Sequence, residues 1–474
     1  MADLTRRDWL GAATSGVAAA AGPQTQGPRT AGNRPNIVLI ISDQFRADNL
    51  GCMGMNPMNL TPNLDLVARR GALFRSAMAN QPVCAPARAT MFTGLYPEKH
   101  GVWRNGIGLN PNANTLASLL RENGYTANYI GKWHLSPAGQ SDGPVPLENR
   151  GGFRDLWEAA NALEHTSHAY EGEMFDGDGK PIRFSGTYRV DFLTNRAVRF
   201  LREKRTQAPF LLCVSYLETH HQNDLDAFQP PKKYADKYRN FFVPQDLRSL
   251  PGSWPSQLAD YYGCVKAIDD AVGTLVATLK ELSLEDNTII AFISDHSCHF
   301  KTRNTEYKRS PHESSIHIPL IVAGPQFNRA VEVPELVGQI DLTPSLLEAA
   351  GLPIPSSMQG RSFLPLVSRH IEGWRNEVYI GMREFVTGRL LRTPQWTYAV
   401  SAPKMKNWKS AERSDRYVEY MLYDLYADPF EHTNLAGHQE FRTVAEDLRG
   451  RLFERIAEAG DPRPEIDPAW FPYV

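Results

Sequence analysis

The sequence predicts an α/β protein: a large, mainly parallel sheet flanked by helices, followed by a smaller α+β unit on an antiparallel sheet. Three observations carry this. From Asn36 onward, short apolar runs alternate with helical patterns, the order that strand–helix–strand units give. Four of those runs lead into polar pairs, as strands do when their carboxyl ends form a ligand-binding rim. Near Ile371 the texture changes to short strand-like runs separated by turn residues.

Taken in order, Ile37–Ile41 is a buried strand, and Leu64–Gly71 is a helix stopped by Gly71. Thr115–Asn123 is a helix and Tyr125–Ile130 a strand. The stretch Pro137–Gly186, rich in Gly, Pro and Asn, is expected to form surface loops over the core. Tyr188–Arg205 is a long amphipathic helix that leads into the strand Phe210–Tyr216. Tyr261–Leu282 is a helix, followed by strands at Thr288–Ile293 and Ile318–Val322. Beyond Ile371, strands are expected at Val378–Met382, Arg389–Leu391, Trp396–Val400 and Leu422–Leu425, with a closing helix at Phe441–Ala459. The expected organisation is a leader at 1–32, an α/β domain at 33–370 and a C-terminal α+β subdomain at 371–474.

Composition bounds the function. The 474 residues carry 51 Lys and Arg against 53 Asp and Glu, a net charge of −2. That balance excludes a nucleic-acid binder relying on bulk positive charge. No run approaches the ~20 apolar residues that span a bilayer. Five scattered cysteines, Cys52, Cys84, Cys213, Cys264 and Cys298, make neither a disulfide scaffold nor a C-x-x-C metal site. The opening segment, with Arg6-Arg7 before a short Ala/Gly-rich stretch, reads as a twin-arginine export signal. Export places the mature protein in the periplasm or outside the cell.

The polar pairs come from four different strands. Asp43 and Gln44 follow the first, Lys132 and His134 the Tyr125–Ile130 strand, His220 and His221 the Phe210–Tyr216 strand, and Asp295 and His296 the Thr288–Ile293 strand. One pair alone is an ordinary turn or cap. Four at one edge describe a site. Asp43, Gln44, Asp295 and His296 offer oxygen and nitrogen donors suited to a divalent cation, calcium first, with manganese or magnesium as alternatives.

The stretch Cys84-Ala-Pro86-Ala-Arg88, continuing to Thr93-Gly94, resembles the signature of the formylglycine-dependent sulfatases of the alkaline-phosphatase-like superfamily. Thr61-Pro-Asn-Leu-Asp65 precedes it, and Tyr96-Pro-Glu-Lys-His100-Gly101 follows. Gly131-Lys132-Trp133-His134, Ser294-Asp295-His296, Glu313-Ser314 through Pro319-Leu-Ile321, and Tyr423 through Pro429 with Asn434-Leu435-Ala436 match further blocks of that family. The resemblance runs from about Asn36 to Ala436.

The resemblance implies a chemistry. A separate maturation enzyme oxidises Cys84 to formylglycine, whose hydrate attacks sulfur and later expels sulfate to restore the aldehyde. Cys84 joins Asp43, Gln44, Asp295 and His296 at the metal. Arg88 orients the diol, Lys132 binds a sulfate oxygen, and His134 takes the proton that starts collapse of the intermediate. His220 and Lys308 contact the sulfate and the leaving oxygen, and one of them protonates it. Which imidazole of His220 and His221 faces the site is open. The implied partner is a sulfated carbohydrate or other small sulfated alcohol.

Departures from the family pattern bear on the substrate. Gln44 and His296 stand where many relatives have Asp and Asn, as in the choline-sulfatase and phosphonate-monoester-hydrolase branches. Ala87 replaces a common Ser. Thr219 and Gln222 replace prolines, and Ser297-Cys298 replaces Gly-Glu. A phosphonate or phosphate diester hydrolase is therefore the alternative enzyme, and a non-catalytic oxyanion or glycan binder the alternative from another class.

Overall fold

The computed structural model describes residues 34–203, 208–403, 405–407 and 411–469. The twin-arginine segment lies outside them. Two sheets organise the described chain, one of 12 strands and one of 5.

The centre of the large sheet is parallel. Asn36–Ser42 lies between Thr288–Ser294 and Phe210–Ser215, and Thr126–Lys132 and Trp157–Ala160 continue the row. Register decides where the site falls. Ser42 pairs with Ser294, Ile41 with Ser215, and Gly131 with Ser215, so the carboxyl ends of four strands finish level. Toward one margin Leu320–Ala323 runs antiparallel to both Thr288–Ser294 and Ala72–Met78, and Val331–Gly338 runs parallel to Ala72–Met78. The sheet is thus mixed around a parallel core.

Both faces of that core are covered, which is why its strands read as unbroken apolar runs. Side chains alternate along each strand. Val38 and Ile40 pack toward the helices Pro62–Arg70, Arg189–Glu203 and Trp254–Glu281, through residues such as Leu64, Leu193 and Val272. Ile37, Leu39 and Ile41 pack toward Cys84–Thr93, Leu116–Glu122 and Leu342–Ala349, through Ala85, Leu120 and Leu346.

Some expectations are corrected. Pro137–Gly186 is not all loop. It holds the strand Trp157–Ala160, the hairpin Glu171–Phe175 with Pro181–Ser185, and the short helix Leu163–Thr166. Glycines and prolines there punctuate short elements, such as the turn at Asp176 to Lys180. The expected strand Ile318–Val322 splits at Pro319 into His317–Ile318 and Leu320–Ala323, because proline has no N–H to donate. The helix expected from Tyr261 begins at Trp254, since Pro255 fits a helix's first turn. The strand expected to stop at Ile130 runs to Lys132.

The second sheet pairs Val378–Met382, Gly388–Arg392, Trp396–Ser401 and Arg416–Asp424 as an antiparallel meander, with Glu465–Asp467 added in parallel. The helix Arg442–Ala459 buries Leu448, Leu452 and Ile456 with Tyr398, Val400 and Leu422 of that sheet. Gly460, at φ 85°, ends it in the left-handed conformation that glycine favours. No described helix is long and apolar enough to cross a membrane.

Candidate active site

Most polar residues of the rim are delivered by a strand end or a helix start, while His220 and Lys308 come from turns and loops beyond the strands. Asp43 and Gln44 leave the first strand, and Asp295 and His296 leave Thr288–Ser294. Cys84 is the first residue of a fully buried helix, and Arg88 follows one turn later on the same face. Lys132 ends its own strand. Gly131 before it has φ 107°, and a Cβ there would sit 2.0 Å from the Ser215 carbonyl, so glycine is required for the close approach of the two strands.

The side chains converge on Cys84. Its Sγ lies 3.3 Å from His296 Nε2 and 3.8 Å from Asp43 Oδ1, and Lys308 Nζ donates to it at 2.9 Å. The same ammonium is 3.0 Å from His220 Nε2 and 3.1 Å from His296 Nε2. Arg88 spans the two acids, with Nε donating to Asp295 Oδ2 at 3.0 Å and a terminal nitrogen 3.3 Å from Asp43 Oδ2. Its other terminal nitrogen donates to Ser215 Oγ and to the Lys132 carbonyl. Lys132 Nζ donates to Asp43 Oδ2 at 2.8 Å and to Glu164 Oε1 at 2.9 Å. Asp43, Arg88, Lys132, Asp295 and His296 are all fully buried.

Burial opposes ionisation here, and mutual charge overrides it. Burial raises the Asp43 carboxyl, yet Lys132, His220, His296 and Lys308 hold it well below its ordinary value. Burial and Asp43 raise the Cys84 thiol, yet Lys308, Lys132 and His296 bring it well below the ordinary thiol range. Asp295 is pushed up to about 6 by burial and by Asp43. Burial and Lys308 lower the His296 imidazole, but Asp295 and Cys84 outweigh them and raise it to about 9. Burial and Lys308 hold His220 below its ordinary value. Its Nδ1–H donates to the His221 carbonyl, which leaves Nε2 as an acceptor facing Lys308.

A divalent cation fits the donors present. Ligand atoms of Asp43, Cys84, Asp295 and His296 all lie within 4.8 Å of one another, and all four residues are buried. His296 Nδ1 faces the Ser297 carbonyl at 3.0 Å, which places a proton on Nδ1 and turns Nε2 toward Cys84 and Asp43. A metal-bound histidine is commonly held in this way.

Of the residues expected from sequence, Asp43, Cys84, Arg88, Lys132, His220, Asp295, His296 and Lys308 form one contact network. Gln44 stands beside them. Its amide nitrogen donates to Cys298 Sγ, and its amide oxygen is 3.4 Å from His221 Nδ1. His221 stacks between His220 and Tyr307. His134 has φ 61°, and its enclosed Nδ1 has no hydrogen-bond partner among the described residues.

Sequence reasoning missed Glu164. It sits in the segment read as surface loops, yet it is buried against Lys132. Burial raises its carboxyl, but Lys132, His134 and His220 hold it down at about 2. The signal was weak: Glu164 lies four residues past the end of Trp157–Ala160, on the short helix Leu163–Thr166, whereas Asp43 follows its strand directly.

A family model described as Sulfatase matches residues 35–352, and one described as the C-terminal part of N-sulphoglucosamine sulphohydrolase matches residues 305–458. The Ulvan-active sulfatase of Formosa agariphila is 30% identical over 448 residues, which cover 90% of this chain and 82% of that protein. The N-acetylglucosamine-6-O-sulfatase of Bacteroides thetaiotaomicron is 24% identical, covering 95% of this chain and 90% of that one. Among solved structures, a yidJ sulfatase of Bacteroides fragilis superposes with a TM-score of 0.79 at 25% identity, over 93% of this chain and 98% of that one.

Proposed function

This chain belongs to the sulfatase family, and from that premise we propose an exported hydrolase that cleaves sulfate esters of a carbohydrate or small alcohol with a nucleophile made from Cys84. The supporting observation is the setting of Cys84 Sγ, which lies within reach of the Lys308 ammonium, His296 Nε2 and Asp43 Oδ1 together. A carbohydrate substrate is supported by relatives whose names specify ulvan and N-acetylglucosamine 6-sulfate.

In this reading a maturation enzyme oxidises Cys84 to formylglycine, whose hydrate supplies a hydroxyl able to attack sulfur. Asp43, Gln44, Asp295, His296 and the oxidised Cys84 side chain would hold one divalent ion, with calcium the first expectation. That ion would supply Lewis-acid polarisation of the hydroxyl and the ester oxygens. Arg88 fixes the two acids. Lys132 and Lys308 meet the ester's charged oxygens, and positive charge preorganised around them is the largest rate term expected. His220 or Lys308 protonates the leaving oxygen, and His134 takes the proton that frees sulfate. We assign this chemistry to a catalytic domain at 33–370, with the subdomain at 371–474 packed against it and the leader at 1–32 removed on export.

Gln44 and His296 support one second reading, a phosphonate or phosphate diester hydrolase on the same scaffold. Peptide mass across Cys84, together with turnover of paired sulfate and phosphate esters of one alcohol, tests both. An aldehyde at Cys84 with preference for the sulfate ester is expected. Preference for the phosphate ester selects the second reading. An unmodified thiol in a protein that binds sulfate without turnover leaves only a binding role.

A further inference from the structure

Glu164 has no part in the chemistry above, yet it is buried against Lys132, one of the two lysines assigned to the ester's charged oxygens. An ammonium has three N–H groups. Lys132 directs one to Asp43 Oδ2 at 2.8 Å and one to Glu164 Oε1 at 2.9 Å, which leaves the third for an ester oxygen. Glu164 Oε2 is enclosed and has no partner among the described residues. The residue is held from several sides. Its carbonyl accepts from Gln222 Nε2 at 2.8 Å, Ser167 Oγ bonds to the Leu163 carbonyl, and Arg189 donates to Ser167. These contacts fix the backbone that carries Glu164, and the buried ion pair with Lys132 holds the carboxylate itself.

We propose that Glu164 is a charge-selecting residue of the pocket: it aims the free N–H of Lys132 and weakens the hold on dianions relative to monoanions. This rests on the reading of the pocket as a sulfate-ester site. Asp43 already neutralises Lys132, so a second fixed carboxylate adds a repulsion that any bound anion must meet. Hydrolysis changes the charge of what is bound: ROSO3⁻ + H2O gives ROH + SO4²⁻ + H⁺. Coulomb energy is linear in ligand charge. The repulsion from Glu164 is therefore about twice as large for the product as for the substrate. Glu164 favours release of sulfate, and by the same argument it disfavours phosphate monoesters, which are dianions above about pH 6.

The test compares inorganic sulfate with methyl sulfate, two tetrahedral heads one charge apart, by titration calorimetry at pH 8 on the wild type, Glu164→Gln and Glu164→Asp. Glu164→Gln is expected to bind methyl sulfate about fivefold more tightly and sulfate about twenty-fold more tightly, the second factor near the square of the first. Glu164→Asp keeps the wild-type ratio. A purely structural role predicts the opposite sign, and weaker binding of both ligands by Glu164→Gln overturns the proposal. Equal gains for both ligands overturn it too. Ester turnover is scored separately, so its absence would end the proposed function while these affinities still decide the role of Glu164.

Discussion

Two regions of the molecule bury arginines beside carboxylates, and they do so differently. At the strand-end rim, like charges are forced together. Asp43 and Asp295 share Arg88, and Lys308 sits among His220, His296 and Cys84. At the seam between the two sheets, opposite charges alternate. Glu98, from the short helix Pro97–His100, meets Arg383 and lies 3.8 Å from Arg389, and Arg389 also grips Asp461. Gln81 Oε1 and the Tyr379 hydroxyl complete that seam. Glu98 is held well down by its arginines, whereas Asp295 is pushed up to about 6. A network that satisfies its charges holds a fold together. One that crowds like charges stores electrostatic potential for a ligand.

If that contrast is right, rim substitutions abolish turnover and leave the fold, and seam substitutions do the reverse. The largest effect is expected for Cys84→Ala, with kcat reduced by roughly 10⁴ or more because no other group replaces the nucleophile. Its melting temperature should stay within a few degrees of wild type. Retained turnover in that variant breaks the comparison at its centre. Lys308→Ala comes next. Removing one preorganised cation from the developing anion is expected to lower kcat/KM by about 10² to 10³. Thermal stability should hold or rise, since Lys308 is a buried cation beside two imidazoles.

How far each region was legible from sequence follows from range. Rim residues announce themselves because strands end in register, so Asp43, Lys132, His220 and Asp295 can be gathered from separate apolar runs by one rule. Glu164 escaped because it sits on a one-turn helix, Leu163–Thr166, and the strand before it, Trp157–Ala160, is only 4 residues long. That strand also carries Glu158, a buried charge that disguises it as loop and is paired by Arg196 and Arg199. The C-terminal meander was readable from alternating runs and turn residues. The seam was not. Glu98 and Arg383 are 285 residues apart, and no local periodicity marks their meeting. Charges that pair across such a distance look like ordinary surface residues until the chain is folded.

The seam also gives the smallest and most discriminating prediction. Glu98→Gln keeps the shape and removes the charge, leaving Arg383 buried without its carboxylate partner, while Arg389 keeps Asp461. Losing one member of such a pair is expected to cost about 3 kcal/mol, read as a lower denaturant midpoint, with kcat/KM of the folded enzyme within about twofold. The sign of its pH dependence is fixed. Burial raises the Glu98 carboxyl, but Arg383 and Arg389 carry it down to about 2 from an ordinary 4.5. A carboxyl whose folded value is depressed adds stability in full above the unfolded value and loses it as pH falls toward the folded one. The difference between wild type and Glu98→Gln should therefore be constant above about pH 5 and close between pH 4.5 and about 2. Other carboxylates titrate in the same window, but they are common to both proteins and cancel in the difference. A gap that persists unchanged to pH 2 would mean that shape complementarity holds the seam, and its contrast with the rim would no longer be one of charge.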